Sequence, residues 1–255
     1  MNWLEAIAVL VAGMGAGAIN SIAGSGTLVS FPVLLAVGYG PVTANVSNNI
    51  GLVPGSFSGA YAFREQLVGQ THRARRLALG SASGAFVGAI LLLRLPTDVF
   101  DAVVPWLVVT AATLMLLQPR VAVRVAAARE ARGRADHIDA GVIAPLVCFV
   151  AGIYGGYFGA AQGIILLATL GVLLPDTLAR TNALKNVLAL TVNSVAAVIF
   201  VAIGDVAWEA VALIALGSVA GAFIGAHVGK RVPVPALRAF IVCLGYGVAL
   251  RLLLF

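Results

Sequence analysis

One thirteen-residue phrase occurs twice in this chain. Residues 77–89 read LALGSASGAFVGA, and 137 positions later residues 214–226 read IALGSVAGAFIGA, with nine of the thirteen letters unchanged. The same ungapped shift places Gly15 on Gly152, Gly26 on Gly163, Asn45 on Asn182, Asn49 on Asn186 and Phe63 on Phe200. It continues through Gly80 on Gly217, Gly84 on Gly221, Gly88 on Gly225, Arg94 on Arg231 and Pro96 on Pro233. Chance apolar similarity does not keep glycines and asparagines in step over such a length. The chain is therefore expected to fold as two copies of one unit, residues 1–118 and 140–255.

The solvent for that fold follows from composition. Apolar residues make up 61% of the chain and charged residues 10%, against roughly a quarter charged in soluble domains. Apolar runs lie near 3–20, 24–39, 44–63, 77–93, 101–118, 140–157, 161–174, 181–203, 207–229 and 236–255, most of them close to the ~20 residues of a membrane span. The polar segment 119–139 separates the halves as a basic cytoplasmic linker carrying Arg120, Arg124, Arg129, Arg132 and Arg134. The first run carries Glu5 and has no basic flank, so it reads as a mature span rather than a cleaved leader. Cys148 and Cys243 fall inside apolar runs and read as small core residues.

Charge placement then fixes the relation between the halves. Lys and Arg favour cytoplasmic loops, and matching loops here carry opposite bias. Residues 64–76 hold Arg64, Arg73, Arg75 and Arg76, whereas 201–213 hold Asp205, Glu209 and no basic residue. In the next pair Arg94 stands with Asp98 and Asp101, while Lys230, Arg231 and Arg238 crowd the corresponding turn. The expectation is an all-α polytopic integral membrane protein of two inverted-topology repeats. Each has about five membrane segments, eight to ten transmembrane helices in all, with broken helices at the midplane. Both termini lie outside, and the formal charge of +6 reports topology rather than affinity for nucleic acid.

Gly80, Gly84 and Gly88, and Gly217, Gly221, Gly225 and Gly229, recur every four residues, so each set lines one helical face. Such faces let membrane helices approach closely. The site is expected elsewhere, because inverted-repeat transporters bind substrate at paired, Gly- or Pro-interrupted segments. The pair here is 20–40, NSIAGSGTLVSFPVLLAVGYG, and 157–176, YFGAAQGIILLATLGVLLPD. Gly24 and Gly26, and Gly159 and Gly163, permit non-helical turns, and Ser25, Thr27 and Gln162 supply polar groups there. Free N–H groups where the second helix of each break begins would favour an anion.

Two polar stripes follow the breaks. Asn45, Asn49 and Ser56 step by four and seven, and Asn182, Asn186 and Asn193 repeat that spacing. Amides facing lipid would lose hydrogen bonds, so both stripes should face the interior or a wet cavity. They serve either as glue between helices or as a substrate site. Lys185 breaks the symmetry, its counterpart being Asn48. It is a candidate anion ligand, although it sits only ~8 Å from the level of Arg180 by helical rise and could snorkel outward. His227 reads as a helix-end residue beside Lys230.

The phrase NSIAGSGTLVSFPVLLAVGYGPVTAN, then GAYAFRE, then NALKNVLALTVNSVAAVIF resembles the TauE/SafE family of sulfite and organosulfonate exporters over nearly the whole chain. The family pattern more often has three glycines where this chain has AGSG and GAAQG, so Ser25, Ala161 and Gln162 are departures. The resemblance implies transport of small, often sulfur-containing anions across the cytoplasmic membrane. The residues themselves point to a carrier whose substrate-binding set is Asn20, Gly24, Ser25, Gly26, Thr27, Asn45, Asn49, Gln162, Gly163, Asn182, Lys185 and Asn186. Its implied partners are a small anion, the lipid bilayer and a coupled proton or cation, with no cofactor. No G-x-x-x-x-G-K-[ST], H-E-x-x-H or G-x-S-x-G occurs, so neither an ATP-driven pump nor a membrane hydrolase is expected. A passive anion channel is the alternative that the sequence leaves open.

Overall fold

A computed structural model describes residues 1–22, 24–132, 141–174, 176–228 and 234–254. Among the described residues ten α-helices form, matching the ten apolar runs. They are α1 (Trp3–Ile22), α2 (Thr27–Ala36), α3 (Pro41–Ala62), α4 (Thr71–Arg94), α5 (Thr97–Arg132), α6 (Ile143–Tyr157), α7 (Gln162–Leu173), α8 (Leu178–Ile203), α9 (Trp208–Val228) and α10 (Val234–Leu254). A 3-10 turn at Arg64–Leu67 joins α3 to α4. Among the described residues, α1, α4, α8, α9 and most of α5 are long and apolar enough to cross a membrane, whereas α2, α6 and α7 are shorter apolar helices. The protein is an all-α polytopic membrane protein.

Two helices of the same repeat position pack against each other in opposite directions. Along α3 and α8 the hydrogen bonds pair Thr43 with Asp205, Asn49 with Asn193, and Val68 with Arg180. Along α5 and α10 they pair Thr113 with Tyr246 and Gln118 with Arg238. One number rises as the other falls, so equivalent helices are antiparallel and the repeat is inverted. Other contacts cross between halves in parallel. α4 lies along α6, with Gly80 at Pro145, Gly84 at Phe149 and Gly88 at Ile153, and α9 lies along α1, with Gly217 at Leu10, Gly221 at Met14 and Gly225 at Ala18.

The glycine faces hold those two crossings, as the repeated phrase leads one to expect. A methyl at Gly84 would collide with the carbonyl of Phe149, and one at Gly221 with the carbonyl of Met14. Backbone-to-backbone approach of this kind supplies dispersion contact where lipid provides no hydrophobic drive between helices.

Residues 119–132, expected within the linker, continue α5 as helix through Pro119, and its 36 residues span about 54 Å. Gln118, in the second half of α5, meets Arg238. Linker residues 133–139, and Gly229, Lys230, Arg231 and Pro233, lie outside the described residues.

At one end of the bundle Arg73 and Arg180 both pair with Asp176, at 2.9 and 2.7 Å, and Arg76 donates to the Gly141 carbonyl. His227 is exposed near the end of α9, with its Nδ1 against the Phe223 carbonyl.

Candidate functional site

Both breaks are real, and they meet. Between α1 and α2 the chain turns at Gly24, with φ +79°, and between α6 and α7 it turns at Gly159, φ +78°, and Ala161, φ +63°. Ala161 occupies the repeat position of Gly24 and is the one non-glycine left-handed residue among those described. The Gly163 N–H donates to the Gly24 carbonyl at 3.1 Å, and a methyl on either glycine would strike the other's backbone. Phe31 of α2 meets Phe158 edge-on at 5.3 Å, and the Tyr154 hydroxyl donates to the Ala160 carbonyl at 2.5 Å. The two turns are thus packed as one unit.

A helix that stops inside the protein leaves carbonyls without partners. Here the polar stripes supply those partners, each from the opposite half. Asn182 and Asn186 of α8 both donate to the Ser21 carbonyl at 3.3 Å, and Lys185 donates from Nζ to the Asn20 carbonyl at 2.9 Å. In the other half Asn45 of α3 donates to the Tyr157 carbonyl at 2.8 Å. Asn48 instead binds α2 of its own half, accepting from Ser30 and donating to Thr27. The stripes also face each other, Asn49 donating to Asn193 at 3.3 Å and Asn193 to Ser56 at 3.0 Å.

Lys185 does not snorkel. Its side chain is fully buried, at 0% exposure, and Nζ is spent on the end of α1. That hydrogen bond closes the carbonyl end of α1 inside the protein. The N-terminal starts of α2 and α7 meanwhile converge on the same region, with positive polarity. Their N–H groups are less free than the sequence leads one to expect, since Gly26 donates to Asn20 Oδ1 at 2.8 Å and Gly163 to Gly24.

Between the breaks and the stripes lies a small cavity. About 30 Å3 of it is open to the centres of water molecules, room for roughly two waters or one small oxyanion. Of the expected site residues, Asn20, Gly24, Thr27, Gln162, Gly163 and Asn186 line it, together with Ser56, Asn193 and Gly159. Lys185, Asn182 and Asn45 stand behind it, holding helix ends. Asn49 reaches it only through Asn193, Ser25 is turned to the Met115 sulfur, and Gly26 sits against the Ala16 carbonyl.

Four lining residues escaped the sequence reading: Ser21, Gly55, Gly59 and Ala189. Gly51, Gly55 and Gly59 form a four-residue glycine ladder on α3, a signal that could have found two of them. Gln162 is the member with unused chemistry. It is 3% exposed, and its amide nitrogen has no hydrogen-bond partner among the described residues. A buried unpaired donor costs about 1–3 kcal/mol, and in a cavity with no carboxylate among its described lining residues it suits an acceptor arriving from outside.

The family described as sulfite exporter TauE/SafE matches residues 9–252. A Sinorhizobium protein named probable membrane transporter protein ORF9 is 28% identical over 254 residues, covering 96% of this chain and 91% of its own. The Escherichia coli K12 protein named probable membrane transporter protein YfcA is 30% identical over 220 residues, 86% of this chain and 77% of its own. A Haemophilus influenzae protein named probable membrane transporter protein is 23% identical over 244 residues, 95% and 92% of the two chains. No solved structure gives a significant match.

Proposed function

The chain belongs to the sulfite exporter TauE/SafE family and is a multi-pass membrane transporter, and from that premise we propose that it carries a small sulfur-containing oxyanion across the cytoplasmic membrane by alternating access. The observation that carries the reading is the unpartnered Gln162 amide in a carboxylate-free cavity where two helix N-termini converge. Converging N-termini favour negative charge, and Lys185 occupies the carbonyl end of α1. Asn20, Thr27, Asn186, Asn193 and Ser56 offer amides and hydroxyls that can follow an oxyanion's several acceptors. Inverted halves support alternating access, because exchanging the conformations of the two halves converts an outward opening into an inward one. The cavity's size favours an inorganic oxyanion such as sulfite over an organosulfonate with a long tail. Energy would come from the anion's own gradient or from a coupled proton or cation, and the chain works as a carrier rather than an enzyme.

Calorimetric titration of the purified protein with sulfite, sulfate and a short alkanesulfonate tests the site. Sulfite should bind saturably, the alkanesulfonate more weakly, and Gln162→Leu should weaken sulfite roughly tenfold or more, the loss of one hydrogen bond to a charged group. Equal affinity in native protein and Gln162→Leu would remove this cavity from consideration.

A further inference from the structure

The α3–α8 pair is fastened at both ends, and the two fastenings occupy repeat-equivalent positions. At one end the Thr43 hydroxyl donates to Asp205 at 2.8 Å, and the Ala207 N–H donates to the Ser47 hydroxyl at 2.9 Å. At the other, Arg180 donates to the Val68 carbonyl at 3.1 Å and Gln70 to the Arg180 carbonyl at 3.4 Å. At the shift of 137, Thr43 corresponds to Arg180, Val68 to Asp205 and Gln70 to Ala207. The central cavity lies between them, in the stretch where Asn49, Asn193 and Ser56 bridge the same two helices.

We propose that these two fastenings are the gates of the transport cycle, Thr43–Asp205 with Ser47–Ala207 closing one end and the Arg180–Val68, Gln70 and Asp176 cluster closing the Arg-rich end. The proposal rests on the alternating-access reading above. Both gates are shut here, which explains why the cavity holds only about two waters' worth of space. An inverted repeat supplies one gate per half from the same ancestral contact, so each can open while the other holds. Their chemistry differs. The Arg-rich gate adds an ion pair of Asp176 with both Arg73 and Arg180, whereas the other has one carboxylate bound by a neutral hydroxyl. The Thr43–Asp205 end should therefore open more readily in the empty protein.

Cysteine accessibility tests this without substrate. Ala189→Cys places a thiol in the cavity lining of a Cys243→Ala background, Cys148 being fully buried. An impermeant thiosulfonate is applied to right-side-out and inside-out vesicles, with Thr71→Cys marking the Arg-rich face. Asp205→Ala and Thr43→Val should raise Ala189→Cys labelling from the face opposite the marker by roughly threefold, the weight of one solvent-exposed hydrogen bond. Asp176→Ala should raise labelling from the marked face instead. Opposite-sided effects cannot come from general loosening. Unchanged labelling, or a rise from both faces in either variant, would overturn the gate assignment. Sided labelling in a protein that shows no exchange of anion would leave the gates standing and count against the carrier.

Discussion

Gly24 and Ala161 occupy equivalent positions in the two halves, and substitution should affect them unequally. Both are left-handed, at φ +79° and +63°, a conformation that costs a non-glycine residue on the order of 1 kcal/mol. Gly24→Ala would incur that strain and also push a methyl into the Gly163 backbone, where no flexible side chain can move aside. Overpacking of this sort costs about 1–3 kcal/mol, so the total is about 2–4 kcal/mol. Ala161→Gly would relieve the strain but lose a fully buried methyl worth about 0.8 kcal/mol, leaving a change near zero. With about 2–4 °C of Tm per kcal/mol for a chain of this size, Gly24→Ala should melt roughly 5–15 °C lower and Ala161→Gly within roughly 3 °C of native. Fluorescence-monitored melting of the detergent-solubilised protein, with size-exclusion profiles, reads both. If Gly24→Ala melts with native, or Ala161→Gly falls as far as Gly24→Ala, the packing of the two breaks as one unit is wrong.

Lys185→Met keeps length and burial but leaves the Asn20 carbonyl without the Lys185 donor. Sulfite uptake into proteoliposomes should fall at least tenfold, with the helical circular dichroism spectrum retained. Gly84→Leu would drive a side chain into the Phe149 backbone and separate α4 from α6; yield of monodisperse protein should collapse, whereas Leu79→Ala on the exposed face of α4 should leave it unchanged. Asn193→Leu removes the bridge between Asn49 and Ser56 and leaves the buried Asn49 amide nitrogen unpaired, at a cost of about 1–3 kcal/mol that a melting curve would register.

The repeat, the ten segments, the two breaks and the glycine faces were legible because they are recorded in spacing, and backbone space needs glycine wherever two chains touch. The pairing of stripes with breaks was not. Asn182, Lys185 and Asn186 meet Asn20 and Ser21 across more than 160 residues of chain, and a single sequence carries no signal for such contacts. Helical rise gave the depth of Lys185 but not its direction, which the unsatisfied end of α1 decides. Two of the expected free N–H groups are occupied, Gly26 by Asn20, which reaches forward across the turn, and Gly163 by the Gly24 carbonyl, bonds that residue type alone does not announce. Arg120 and Arg124 suggested a linker where α5 continues, with Pro119 held inside the helix.

The central claim is that one buried anion site is exposed alternately to the two sides. Counterflow measures it most directly: proteoliposomes preloaded with unlabelled sulfite are diluted into labelled sulfite, and transient accumulation is followed. The account expects saturable accumulation above equilibrium, accelerated by internal sulfite and lost in Gln162→Leu. Flux that rises linearly with concentration and is indifferent to internal sulfite would contradict it and make this protein a channel.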